Sequence, residues 1–185
     1  MRRFVMAGMV CSLAVSGMAI GQAAATPATA AAPVATGPAA EVQRSYAQQK
    51  DNLLKSAEKM PADQYQYKAT PEVRTFARVV NHVTEAQVRS CAAVNKTAPD
   101  AQMKTPSDTA DKAAVIAGLK ASFAECDKAY GSTTDANFTE MLKAGPGMRS
   151  RSGLLWGNVS HDNEQYSALS MYLRLKGIAP PTSEK

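Results

Sequence analysis

The sequence predicts an all-α fold, a four-helix bundle with a crossover connection in which helices 2 and 3 run parallel. Three observations carry this. Apolar residues recur at three and four positions in four separate segments. Strand-like alternation of β-branched residues is absent throughout. Two cysteines, Cys91 and Cys126, lie near the C-terminal ends of the second and third segments.

Helix 1 is expected from about Ala40 to Met60, with Val42, Tyr46, Leu53, Leu54 and Ala57 on one face and Pro61 ending it. Helix 2 is expected to open with Thr70 as N-cap, Pro71 at the first helical position and Glu72 near the positive end of the dipole. Its apolar stripe is Val73, Phe76, Val80, Val83 and Ala86, and it fades near Asn95. Helix 3 follows Pro106-Ser107-Asp108; Ile116, Leu119, Phe123, Cys126 and Tyr130 form its seam, and Gly131 stops it. Helix 4 covers about Gly153 to Lys176, with Leu155, Val159, Tyr166, Leu169, Tyr172 and Leu173 inward and Gly177 as its stop. Trp156 sits at a helical spacing that also suggests core. The link from Ser132 to Ser152 holds Phe138 and Leu142, expected to cap one end of the bundle through a short helix. Arg149 and Arg151 flank the entrance to helix 4 and read as solvated surface, because long cationic side chains are usually exposed, with anion binding as the alternative.

Residues 1–24 read as a signal peptide. Met1-Arg2-Arg3 is a basic n-region, Phe4 to Ile20 is apolar and uncharged, and small residues permitting cleavage follow. The alternative is an uncleaved anchor, although the run falls short of a spanning helix. Residues 25–39 are rich in Ala, Pro and Thr and read as a flexible linker, leaving 40–181 as the helical domain. Loss of Arg2 and Arg3 takes the basic residues from 21 to 19 against 16 acids, so the net charge falls from +5 to +3. No Lys/Arg block with interleaved aromatics remains, which argues against nucleic acid as a partner. The expected location is the periplasm, with no membrane span after cleavage; a small-molecule partner and a homodimer are both left open.

Export also removes Cys11, leaving Cys91 and Cys126 as an even pair in an oxidising compartment. A disulfide is one outcome; two buried free thiols are the other. Helix 2 is roughly 35 Å long at 1.5 Å per residue, so antiparallel neighbours would hold the two cysteines on the order of 20 Å apart. A disulfide needs its Cα atoms within about 7 Å. Parallel helices satisfy this, and the link from Asn95 to Thr109 can reach about 50 Å, enough to return along the bundle.

Helix 4 contains His161-Asp162-Asn163-Glu164-Gln165-Tyr166, then Tyr172-Leu173-Arg174-Leu175-Lys176-Gly177 and Pro180-Pro181. The only other histidine is His82, within Asn81-His82-Val83 on helix 2. Together these resemble the DinB-like four-helix family over about Ala40 to Pro181. The resemblance implies a bundle with parallel middle helices and a divalent metal such as Zn or Ni. Three His would hold it, one on helix 2 and two at i and i+4 on helix 4, leaving an open position for water or substrate. His82 and His161 occupy two of those positions; Gln165 stands at the third. Glu164, three residues from His161, offers an anionic donor at His-x-x-Glu spacing. Asp162 projects roughly 100° away from His161.

Characterised relatives include metal-dependent transferases that use thiols such as mycothiol and bacillithiol. The missing third His and the export signal both keep that activity from being carried over. Three states of the site stay open: a hydrogen-bonded cluster of His82, His161 and Gln165 completed by water, weak metal binding, and a working metal centre. No nucleophile elbow or Gly-rich phosphate loop is present. Two functions follow: an exported binding or scaffold protein, or a divalent-metal enzyme of hydrolase or transferase type on a two-His site.

Overall fold

The computed structural model describes residues 35–98 and 101–184. The signal peptide and most of the linker, residues 1–34, lie outside the described residues. Among those described there are four long helices: α1 (Pro38–Lys59), α2 (Phe76–Asn95), α3 (Lys112–Gly131) and α4 (Arg151–Leu175). A two-stranded antiparallel hairpin, β1 (Met141–Ala144) and β2 (Gly147–Ser150), precedes α4. No helix among the described residues is long and apolar enough to cross a membrane.

Side-chain contacts set the helix directions. Gln87 meets Ser122 and Cys91 meets Cys126, the same four-residue step along both chains, so α2 and α3 are parallel. Phe76 packs edge-on to Tyr172 while His82 meets His161, so α2 and α4 are antiparallel. Gln43 donates to the Tyr130 carbonyl, and Lys112 to the carbonyls of Glu58 and Met60, so α1 and α3 are antiparallel. The crossover expected from the cysteines is therefore present, and Cys91 and Cys126 form a disulfide with Cα atoms 5.0 Å apart.

The predicted apolar stripes form the core. Val42, Leu53 and Ala57 of α1, Phe76, Val80 and Val83 of α2, Leu119 and Phe123 of α3, and Leu155, Leu169 and Leu173 of α4 are all buried. Tyr46 stacks on Tyr130 with ring centroids 3.8 Å apart. Gly177, at φ 71, ends α4, and the Ile178 amide donates to the Leu173 carbonyl.

Several expectations are corrected. Helix α2 starts at Phe76, capped by the Thr75 hydroxyl accepting from the Arg78 amide at 3.1 Å. Thr70 and Pro71 lie in a turn, where the Val73 amide donates to the Thr70 carbonyl, and Val73 is 39% exposed. The cause lies in the preceding loop: the carbonyls of Tyr67 and Tyr65 accept from the amides of Phe76 and Ala77, satisfying the helix's first donors there. Helix α3 does start after Pro106-Ser107-Asp108, at Lys112, with Asp111 as its cap accepting from the Ala114 amide.

The Ser132–Ser152 link holds the expected short helix, a single 3-10 turn at Asp135–Asn137 leading into Phe138, and after it a hairpin that was not expected. Gly145, at φ 59, takes the first central position of a two-residue turn and Pro146 the second, as a type II′ hairpin requires. Four-residue strands are too short to show alternation. Leu142 is buried and Phe138 packs on the core, closing one end of the bundle. Trp156 is 40% exposed, on the outer face of α4. Arg151 is buried, paired with Glu140 at 2.6 Å, because its backbone is pinned by the Glu140 carbonyl at the helix start. Arg149 remains exposed and donates to the Gly153 carbonyl.

Candidate functional site

Antiparallel α2 and α4 bring the two histidines together. The Nε2 atoms of His82 and His161 face each other at 3.2 Å, and the rings meet edge to face with centroids 4.9 Å apart. The side chains are 21% and 23% exposed, so the pair sits at the edge of the bundle interior, within reach of solvent. As a hydrogen bond, one Nε2 donates and the other accepts. The second nitrogens have carboxylates nearby. His82 Nδ1 is 3.6 Å from Glu85 Oε2, and His161 Nδ1 is 3.9 Å from Asp162 Oδ1. Both gaps exceed a hydrogen bond. Burial, the nearby Arg74 guanidinium and His161 all push the His82 pKa below the ordinary imidazole value, which disfavours the charged ring.

Around the pair, Arg78 forks onto Glu85, with Nη1–Oε1 2.7 Å and Nη2–Oε2 3.1 Å. Its Nε also approaches Asp108 on the crossover, and Asp108 in turn accepts from Asn81. The crossover is thereby tied to the N-terminal half of α2. The Arg78–Glu85 pair holds the Glu85 carboxyl below its ordinary range.

Behind the histidines lies a polar network that the helical pattern did not single out. Asp162 is 0% exposed. Its Oδ2 accepts from Gln87 Nε2 at 3.3 Å and from Asn158 Nδ2 at 3.2 Å. The Ser122 hydroxyl donates to the Gln87 carboxamide oxygen at 2.6 Å, and Tyr130 donates to the Leu155 carbonyl. Asp162 Oδ1, Asn158 Oδ1 and both histidine Nδ1 atoms are buried without a hydrogen-bond partner. Burial pushes the Asp162 carboxyl above its ordinary range. A signal existed: Asn158, Asp162 and Gln165 occupy the same stripe of α4 as Leu155, Val159 and Leu169, and Gln87 falls between Val83 and Cys91 on α2. Polar residues on an apolar stripe mark a buried hydrogen-bonding site.

The sequence-derived ligand set is only partly assembled. Gln165 is buried one turn beyond His161, yet among the described residues no hydrogen bond joins it to either imidazole. Glu164 is exposed on the neighbouring flank. The spacing of the two Nε2 atoms suits a hydrogen bond. It is also close to the roughly 3.3 Å separating two nitrogens that each lie about 2.0 Å from a tetrahedral ion. The donor set is what differs from a three-ligand centre. Among the described residues no three His, Cys, Asp or Glu side chains converge. The carboxamide at the third position is a neutral, weakly basic oxygen donor, poorly suited to Zn or Ni. These residues do not fit the three-His metal centre.

Comparison with known proteins agrees on the scaffold. The fold is similar to a DinB-like protein from Bacillus cereus, with a TM-score of 0.63 and 14% identity over 76% of this chain and 93% of that one. It is also similar to a DinB-like protein from Bacillus subtilis, with a TM-score of 0.60 and 16% identity over 74% and 92%. A conserved protein from Enterococcus faecalis gives 0.58 and 12% over 76% and 98%. No protein of curated function matches. The DinB superfamily profile matches residues 45–167, spanning the parallel α2 and α3 and both histidines, and the chain belongs to that superfamily.

Proposed function

We propose that this DinB-superfamily chain is an exported, periplasmic binding or scaffold protein whose ancestral metal site is degenerate. The observation that carries this is the donor set: two imidazoles facing each other, with Gln165 in place of a third imidazole. Paired in this way, the imidazoles satisfy each other's Nε2 atoms, which offsets the cost of burying them without an ion. Export is supported by Arg2-Arg3, the apolar run Phe4 to Ile20 and the Cys91–Cys126 disulfide, a bond that persists in oxidising compartments.

A second reading, a divalent-metal enzyme of hydrolase or transferase type on a two-His site, is favoured by one observation. That observation is the 3.2 Å Nε2 separation, which also suits two ligands of one ion. Metal analysis of tag-free protein after growth with added Zn or Ni separates the two, alongside His82→Ala and His161→Ala. The scaffold reading expects metal well below stoichiometric and indifferent to both substitutions. Stoichiometric metal that both substitutions abolish overturns it. Localisation is tested by cell fractionation, and a cytoplasmic, reduced protein would refute export.

A further inference from the structure

A groove opens between the C-terminal half of α2 and the hairpin, two to three helical turns further along α2 than His82. Its volume is about 730 Å³, within the roughly 300–1,000 Å³ of small-molecule sites. Two features of the sequence shape it. Ala92 and Ala93 leave one wall of α2 without bulk, and Leu142 of β1, itself buried, forms an apolar floor. Met141, on the opposite face of β1, adds an exposed apolar rim.

Cations line both walls. Arg89 stands on α2 and Lys96 at the residue that caps its C-terminal end. Lys143, on the same face of β1 as Met141, adds a third cation at the groove's rim. Arg89 and Lys143 form no ion pair among the described residues, while Lys96 contacts Glu140 at 3.1 Å and stays largely exposed. Lys96 is also the only non-glycine residue with positive φ among those described, at φ 57. That conformation favours Gly or Asn, and an exposed ion pair does little to offset it.

We infer that this groove binds a single-chain amphiphile ending in a carboxylate, of the fatty-acid class. The apolar floor takes the chain, and the cations on both walls complement the headgroup. The concave form and a volume of small-molecule size select one free molecule over a flat bilayer surface. This site is separate from the His82–His161 pair, so it stands or falls independently of the metal question.

The test is calorimetric titration of the purified, disulfide-bonded protein with dodecanoate below its micelle concentration. Dodecyltrimethylammonium, acetate and anionic phosphatidylglycerol vesicles serve as separate arms. Dodecanoate is expected to bind one to one, the cationic chain roughly tenfold or more weaker, and acetate not measurably. The double variant Arg89→Glu, Lys143→Glu should lose roughly tenfold or more in dodecanoate affinity at unchanged melting temperature. Amide shifts on titration should concentrate at residues 92–97 and 141–145, a readout that does not depend on any variant folding. Equal binding of the anionic and cationic chains, unchanged affinity in the double variant, shifts centred elsewhere, or binding to vesicles alone would each overturn the proposal.

Discussion

Removing the Cys91–Cys126 bridge perturbs the structural feature that most directly sets helix order. The two residues are 35 apart in sequence and fully buried. In the chain-entropy account, closing a loop of that length restricts the unfolded chain by about 12.7 cal/mol/K, or about 3.8 kcal/mol at 25 °C. The closed loop includes the crossover itself, so opening it frees the segment that carries the chain from the end of α2 back to the start of α3. For a unit spanning Val34–Lys185, an unfolding entropy of about 0.3 kcal/mol/K converts this to a fall of roughly 12 °C in melting temperature. The double variant Cys91→Ala, Cys126→Ala leaves no lone thiol to scramble. Thermal unfolding followed by far-UV circular dichroism, with and without dithiothreitol, measures the effect. The wild type should fall on reduction by about as much as the variant falls on substitution, and the variant should ignore the reductant. A shift below about 4 °C, or a variant that still responds to dithiothreitol, would refute the loop-closure argument.

Two further outcomes test the corrected helix start and the acid response. Thr75→Ala should cost about 1 kcal/mol in chemical denaturation by removing the cap on the Arg78 amide, whereas Thr70→Ala, in the preceding turn, should cost no more than about 0.5 kcal/mol. The Asn95 carboxamide at 2.7 Å, the Lys128 ammonium and the Thr97 hydroxyl hold the Glu125 carboxyl below its ordinary range. A lowered pKa adds stability that is present above the unfolded value of about 4.3 and lost as pH falls from there through the folded pKa. Melting temperatures recorded from pH 6 downward should therefore drop less steeply below about pH 4.3 in Glu125→Gln than in the wild type. Parallel curves would refute this role.

The helices most legible in the sequence are those whose apolar period runs uninterrupted to their ends. Helix α1 begins two residues before its expected start and α4 likewise, within the spread of end assignments. At α2 the local signal misleads. Thr70-Pro71-Glu72 has the composition of a helix start, but Tyr65 and Tyr67 supply carbonyls to Phe76 and Ala77, and that pairing belongs to the loop's path. His82 and His161 were legible as a pair because they are the only two histidines and fall on helices that the family places side by side. Asp162 reads from the sequence as pointing away from His161, although its place on the apolar stripe of α4 marks it for burial. Its partners, Gln87 and Asn158, lie on a different helix and one turn back, and only the packed bundle shows that they converge. The burial of Arg151 is of the same kind, since it depends on Glu140 closing over it.

By itself the sequence determined the helix count, the apolar face of each helix, the superfamily and the candidate histidines. For the middle helices it gave a conditional: a disulfide between cysteines at matching helix ends requires them to be parallel, and the structure supplies the disulfide. Periodicity, capping and covalent reach are properties of neighbouring residues or of a single bond, so they can be read along the chain. The tertiary structure decided which polar groups lose water and which partners they find. It placed Asp162 among Gln87 and Asn158, added a hairpin to the link before α4, and opened a cation-lined groove beside it. Desolvation and hydrogen bonding depend on whatever side chains arrive from distant parts of the chain, and no local pattern encodes that arrival.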